Sequence, residues 1–405
     1  MIKRQPTNIG EGNDRDIALP VLESAAPSSQ IIEVSSEVWA PPTPVEAPEG
    51  LARILDGEPF HPLKALNHFG TLSAVARGEN PAPVTVEIDP SNKCNHKCDW
   101  CVSMLAHTGE NLGFDRFTAL VDEIKDMGSK SVVLKGGGEP TVHPRFNDML
   151  AMLRDAGLSI GLITNGSMPR AGTREAILDQ VDWVRVSLDA ATPQTHESIH
   201  VSKDFSKIIE NISWIAQRAE RTLVGINFVA EPRNHHEIVT FTEMARDLGV
   251  AYVSLRCVFD PRSPLPEDIR DSMLEKAGLA SELQTETFRV MQGNLTRAYV
   301  DADPLAPFPY ERCLGPNMVG VVGAEGEVYA CCFLRGNKDF SFGNINEQSF
   351  REVWDGEHRK EIMDRVYRGE CGRICQGGMT HNRYNVYNQI LNYMAREDKA
   401  HADFA

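Results

Sequence analysis

From Pro83 to Cys257 the chain switches repeatedly between two hydrophobic periods. PVTVEID at 83–89 alternates apolar and polar positions as a half-buried strand does. SVVLK, IGLIT, WVRVSLD, LVGINFV and AYVSLRC repeat the strand signal at 131–135, 160–164, 183–189, 223–229 and 251–257. Between them lie stretches with apolar residues three and four apart, at 115–128, 144–157, 173–181, 204–219 and 236–249. Three of these helices end in glycine, at Gly128, Gly157 and Gly249. Strands joined by helices in this way pair in parallel through right-handed crossovers. The predicted fold is α/β: a partial (β/α)6 parallel barrel, two strands short of closure, or an open sheet of the same order. In either case the working loops follow the carboxyl ends of the strands.

The flanks read differently. Residues 1–50 are rich in Pro, Glu and Ser without periodicity, which predicts a disordered leader. Short helices are expected over 51–83, and the core over 84–300, with a helical stretch at 266–292 near its end. A smaller domain at 305–378 carries a hairpin at 318–332, turning at Glu325 and Gly326, and a helix at 350–366. Residues 379–405 form a terminal helix and tail. No apolar run reaches the roughly 18 residues needed to span a bilayer, and the start lacks the apolar core of a secretory signal. A cytoplasmic protein is expected. A formal charge of −16 argues against nucleic acid or an anionic membrane as the main partner.

Nine cysteines in a reducing compartment point to metal ligands or reactive thiols rather than disulfides. Cys94, Cys98 and Cys101 fall together in IDPSNKCNHKCDWC. Three thiols are one short of the ligand set of a structural zinc or a closed cluster. A four-iron cluster on three cysteines keeps one iron for a group that is not protein; a zinc borrowing His96 is the competing reading. The spacing Cys-x3-Cys-x2-Cys, in the first loop after a strand of a β/α chain, resembles the radical SAM superfamily. That resemblance implies a [4Fe–4S] cluster on Cys94, Cys98 and Cys101 whose open iron chelates S-adenosylmethionine (SAM). It also implies reductive cleavage to a 5′-deoxyadenosyl radical, with a one-electron reductant such as flavodoxin or ferredoxin as partner. Further stretches match the family's SAM site. Trp100 would pack near the adenine, and Gly137, Gly138 and Glu139 match its GGE motif, with Glu139 receiving the cofactor's ammonium group. Ser187 and Asp189 would meet the ribose hydroxyls, unless they merely cap a turn, and Asn227 would lie near the adenine.

Cys313, Gly326 and Cys331, followed by Cys371 and Cys375, resemble the SPASM/twitch extension of the same superfamily. This implies one auxiliary [4Fe–4S] cluster on Cys313, Cys331, Cys371 and Cys375; a structural zinc on the same four is the alternative. The last pair is Cys-x3-Cys where the family has Cys-x2-Cys, so Cys332 could replace a neighbour. Cys257, at the end of a strand, is a candidate hydrogen-atom donor or a buried small hydrophobe. Arg256 and Asp260 are candidate substrate contacts, and His143, His196 and His200 candidate bases. Residues 1–83 lack the β-containing module with which peptide-modifying relatives bind a leader. The expected substrate is therefore a small polar metabolite, such as an amino sugar, aminocyclitol or nucleoside of a specialised or antibiotic pathway. The expected outcome is dehydrogenation, with the auxiliary cluster accepting an electron. Epimerisation with Cys257 as donor, radical decarboxylation or deoxygenation, and peptide maturation are the alternatives. An electron-transfer scaffold would have no use for the SAM-site motifs.

Overall fold

The computed structural model describes residues 60–258, 265–296, 310–371 and 382–395, apart from positions 61, 102 and 294. The leader, Asp260 and Cys375 lie outside the described residues.

Six strands form where the alternation placed them: β1 Thr85–Ile88, β2 Ser131–Leu134, β3 Ser159–Thr164, β4 Trp183–Ser187, β5 Leu223–Ala230 and β6 Tyr252–Cys257. They pair in parallel in chain order. The crossovers carry α2 Phe114–Met127, α3 Phe146–Asp155, α4 Thr173–Gln180, α5 Pro193–His200, α6 Phe205–Ala216 and α7 Ile238–Asp247. The helix α1, Phe69–Ala76, precedes β1.

Both edges are longer than expected. The stretch read as helix over 266–292 gives α8, Glu267–Ser281, and then a three-residue strand β7, Arg289–Met291, parallel to β6. On the other edge the C-terminal hairpin is no separate sheet. Its first strand β8, Val319–Val322, lies parallel to β1, with Thr85 opposite Val319 and Ile88 opposite Val322. β9, Glu327–Tyr329, and β10, Ser341–Asn344, continue it antiparallel. The result is one unclosed sheet of ten strands, ordered β10-β9-β8-β1-β2-β3-β4-β5-β6-β7. Helices α9 Phe350–Asp355, α10 Glu357–Tyr367 and α11 Asn382–Met394 complete the C-terminal region. Among the described residues no helix is long and apolar enough to cross a membrane.

Side-chain parity fixes what faces the concave side. Along β4, Val184 and Val186 are buried while Trp183, Arg185 and Ser187 are only half-buried. A methyl on Gly161 would strike the Trp183 ring, and one on Gly225 the Tyr252 ring, so these four share the inner face. Arg185 caps that aromatic floor, its Nε donating to the Tyr252 hydroxyl at 3.2 Å. Phe228 and Phe241 meet on the outer face, under α7. The amino-terminal end of the strands is therefore filled by the Trp183 and Tyr252 rings, and the carboxyl end is where inward side chains can meet a ligand.

Candidate active site at the carboxyl end of the barrel

The loop after β1 carries Cys94, Cys98 and Cys101, all half-buried. A glycine turn after β2 lies directly on it. Gly138 N–H donates to the Ser91 carbonyl at 2.9 Å and Glu139 N–H to the Lys93 carbonyl at 2.8 Å. A Cβ on Gly138 would sit 2.0 Å from the Lys93 oxygen, so only glycine permits this approach.

Each thiol has a neighbour of its own. Cys94 Sγ accepts from the His96 backbone N–H at 3.4 Å, Cys98 Sγ lies 3.1 Å from His200 Nδ1, and Cys101 Sγ lies 3.7 Å from His107 Nε2. Burial pushes the Cys94 thiol up to about 12 and Cys101 to about 11. Burial also opposes ionisation of Cys98, but the imidazoles of His200 and His96 outweigh it and bring the thiol down to about 7. Left to themselves, two of these thiols would keep their protons at neutral pH. A soft cation turns all three into ligands, as a coordinating thiol is deprotonated outright.

Behind the triplet stands a layer of histidines. His96 Nε2 and His196 Nε2 meet the two oxygens of Asp204 at 2.9 and 3.2 Å. His200 Nε2 faces the Leu188 carbonyl at 3.0 Å and Asp189 Oδ2 at 3.3 Å. His143 is tied to the Leu112 carbonyl and the Arg145 N–H. Each of the three histidines considered as bases is thus oriented through one ring nitrogen by a carbonyl or a carboxylate. His96 approaches the ligand atoms of Cys98 and His200, while the zinc alternative needed it beside all three cysteines.

Glu139 and Asp189 also tie the site's loops together. Glu139 Oε1 accepts from Thr141 N–H at 3.0 Å, Thr141 Oγ1 at 2.7 Å and Thr164 Oγ1 at 2.6 Å, and Oε2 from Asn165 N–H at 2.7 Å. Glu139 thus joins the loops after β2 and β3, and with one bond Oε2 keeps an acceptor position for an ammonium group. Asp189, fully buried with a left-handed φ of 56°, turns its Oδ1 to the Val229 N–H at 2.7 Å. It braces β5 through Oδ1, while its Oδ2, 3.3 Å from His200 Nε2, is buried without a hydrogen-bond partner.

Other positions fit a bound nucleoside. Ser187 and Asn227 are register partners on the inner face. Asn227 Oδ1 and Trp100 Nε1 are buried without a hydrogen-bond partner, one acceptor and one donor that a ligand could satisfy. The donor set and these orphaned atoms suit a [4Fe–4S] cluster with SAM.

Cys257 points the other way. It shares parity with Val253 and Leu255, its thiol donating to the Val258 carbonyl at 3.1 Å and resting 3.9 Å from Met273 Sδ of α8. Burial raises it to about 12. A thiol on the outer face cannot quench a carbon radical inside the barrel, and the donor role is corrected. Arg256 has the inward parity.

Sequence reasoning missed a buried charge cluster on the inner face. Glu87 and Asp89, two apart on β1 and its extension, meet Arg335 from the C-terminal region. Arg335 Nε donates to Asp89 Oδ2 at 2.8 Å and Nη2 to Glu87 Oε2 at 3.1 Å, and Lys135 Nζ lies 2.8 Å from Glu87. The signal was present in TVEID: two acids at alternate positions of a buried strand demand partners. Among the auxiliary cysteines, Cys313 lies beside Cys371 and accepts from Asn388 Nδ2 at 3.5 Å. Cys331 and Cys332 sit side by side after β9, and Lys135, Glu87 and Arg335 act on the Cys332 thiol.

A model of the radical SAM superfamily matches residues 88–245, and a model of the SPASM iron–sulfur cluster-binding domain matches 313–377. The chain is similar to the AdoMet-dependent heme synthase of Methanosarcina barkeri, 26% identical over 345 residues, which cover 78% of this chain and 95% of that one. It is also 26% identical to the mycofactocin maturase MftC of Mycobacterium tuberculosis, over 73% of this chain and 78% of that. Among solved structures, SuiB of Streptococcus suis superposes with a TM-score of 0.57 at 18% identity, covering 78% of this chain and 76% of that. The AdoMet-bound anSMEcpe superposes at 0.54 and 16% identity, covering 77% and 96%.

Proposed function

Since the chain belongs to the radical SAM superfamily and carries a SPASM iron–sulfur domain, we propose that it oxidises a carbon of a polar substrate held at the carboxyl end of the strands. Cys94, Cys98 and Cys101 would hold the SAM-binding cluster, and Cys313, Cys331, Cys371 and Cys375 the auxiliary one. When bound, SAM and these clusters supply hydrogen-atom abstraction and a one-electron acceptor. The chain's own residues do the rest. Trp100, Ser187 and Asn227 line the nucleoside position. Glu87, Asp89, Lys135 and Arg335 present a charged inner wall that suits a polar metabolite. Burial, against the pull of Arg335 and Lys135, holds the Asp89 carboxyl up at about 6.

The orientation of Cys257 carries this reading. With that thiol turned to α8, inversion loses its candidate donor, which supports net oxidation over epimerisation. A second reading, modification of a peptide, is supported by the neighbour SuiB, solved bound to its precursor peptide SuiA.

Product analysis in deuterated water tests the proposal. The anaerobic, dithionite-reduced protein is given amino sugars, aminocyclitols and nucleosides. We expect 5′-deoxyadenosine together with a carbonyl product carrying no new C–D bond, and retained turnover in Cys257→Ala. Solvent deuterium on an inverted carbon, or turnover of peptides alone, overturns it.

A further inference from the structure

Asn92, two residues before Cys94, is the joint of three chain segments. Its side-chain amide donates to Glu325 Oε2 at 2.7 Å and to Thr108 Oγ1 at 3.0 Å. Because a carboxylate only accepts, the amide cannot flip. Its Oδ1 is thereby turned to the glycine turn, where a Cβ on Gly137 would stand 2.2 Å from it. Glu325 is itself fixed, since Oε1 accepts from the Tyr329 hydroxyl at 2.5 Å.

Glu325 is the tip of the C-terminal hairpin, and the same region grips the cysteine loop twice more. Arg335 holds Asp89. Gly336, with a φ of +78°, packs where a Cβ would fall 2.7 Å from the Leu105 carbonyl, just past Cys101. The segment leading into the triplet and the segment leaving it are therefore both clamped by residues that arrive after position 320.

We propose that Glu325 is a positioning residue for the SAM site: acting through Asn92, the C-terminal hairpin sets the spacing between the cysteine loop and the glycine turn. The inference rests on reading that loop as the cluster's seat. It makes the affinity for SAM depend on a side chain that does not touch SAM. Such coupling between separate sites is commonly worth about 5- to 150-fold in affinity.

The test is a double-mutant cycle on the full chain, reconstituted anaerobically. SAM affinity is measured by titration calorimetry, with the SAM-induced change in the reduced cluster's electron paramagnetic resonance as second readout. Glu325→Ala and Asn92→Ala should each weaken SAM binding about tenfold and blunt the spectral change. The double variant should bind no more weakly than the worse single one. Glu325→Gln, whose amide oxygen still accepts from Asn92, should recover most of the loss. Unchanged SAM affinity in Glu325→Ala with its iron intact overturns the proposal, as do additive losses or a lowered melting temperature with a normal spectral change. If Glu325→Ala does not load iron, unchanged SAM affinity in Asn92→Ala overturns the proposal in its place. A wild-type protein that loads iron but binds no SAM would instead sink the functional reading.

Discussion

At the scale of single residues, buried carboxylates near the site also act as braces. Removing Glu139 as alanine leaves Thr141, Thr164 and the Asn165 N–H without their acceptor, at about 1–3 kcal/mol for each buried group left unpaired. Thermal melts of the apoprotein should show that loss, and Glu139→Gln should be milder. Asp204 behaves alike and adds a pH signature. Partial burial works against its charge, but hydrogen bonds from His196, His96 and Ser202 hold its carboxyl far below the ordinary range. A depressed folded pKa contributes stability that is fully present above the unfolded value near 3.8 and is lost only as the pH falls from there towards the folded value, far below it. Asp204→Asn should therefore lower apoprotein stability on the order of 2 kcal/mol at pH 7, and the deficit should begin to shrink only below the unfolded value. A deficit that already vanishes between pH 7 and pH 5 would refute this. The cysteine triplet was legible because ligand spacing is a one-dimensional signal. The bracing bonds of Glu139 and Asp189 were not, because their partners come from other loops and strands and, for Asp189, depend on a left-handed backbone.

Among the elements, period two explains both a success and an error. It located six strands, and it also held the answer for Cys257. In YVSLRC the polar Ser254 and Arg256 share one face, so the terminal cysteine falls with Val253 and Leu255 on the other. Position at a strand end suggests the barrel mouth, but parity decides which way the thiol points. β7 was illegible for a different reason: three residues are too few to display any period. The glycine turn gives the sharpest element-level prediction. Gly138→Ala forces a methyl against the Lys93 carbonyl, an overpacking cost of about 1–3 kcal/mol. It should displace the cysteine loop, so that reconstituted protein holds fewer irons and binds SAM more weakly. Full iron loading with wild-type SAM affinity would show that the two loops do not need their contact.

For the molecule as a whole, the reconstituted chain should bind about eight irons, and the joint change of Cys94, Cys98 and Cys101 to Ala should leave about four. Iron and zinc analysis of both proteins checks this; four irons plus zinc in the wild type would replace the auxiliary cluster with a structural metal. That the C-terminal hairpin extends the barrel sheet was hidden from the sequence, since strand partners distant along the chain leave no local mark. The parallel seam of β8 on β1 has a consequence in time. Asn92 and Glu325, held together at the finished seam, lie 233 positions apart in the chain. At typical synthesis rates of about 5–20 residues per second, the ribosome needs roughly 10–50 s to supply the missing strand. Through that interval β1 presents a bare ladder of N–H and C=O groups, an invitation to pair with a neighbouring nascent chain. Truncations that end before residue 319 leave that edge uncovered for good, and we expect them in the insoluble fraction of the cell rather than as a free-standing barrel.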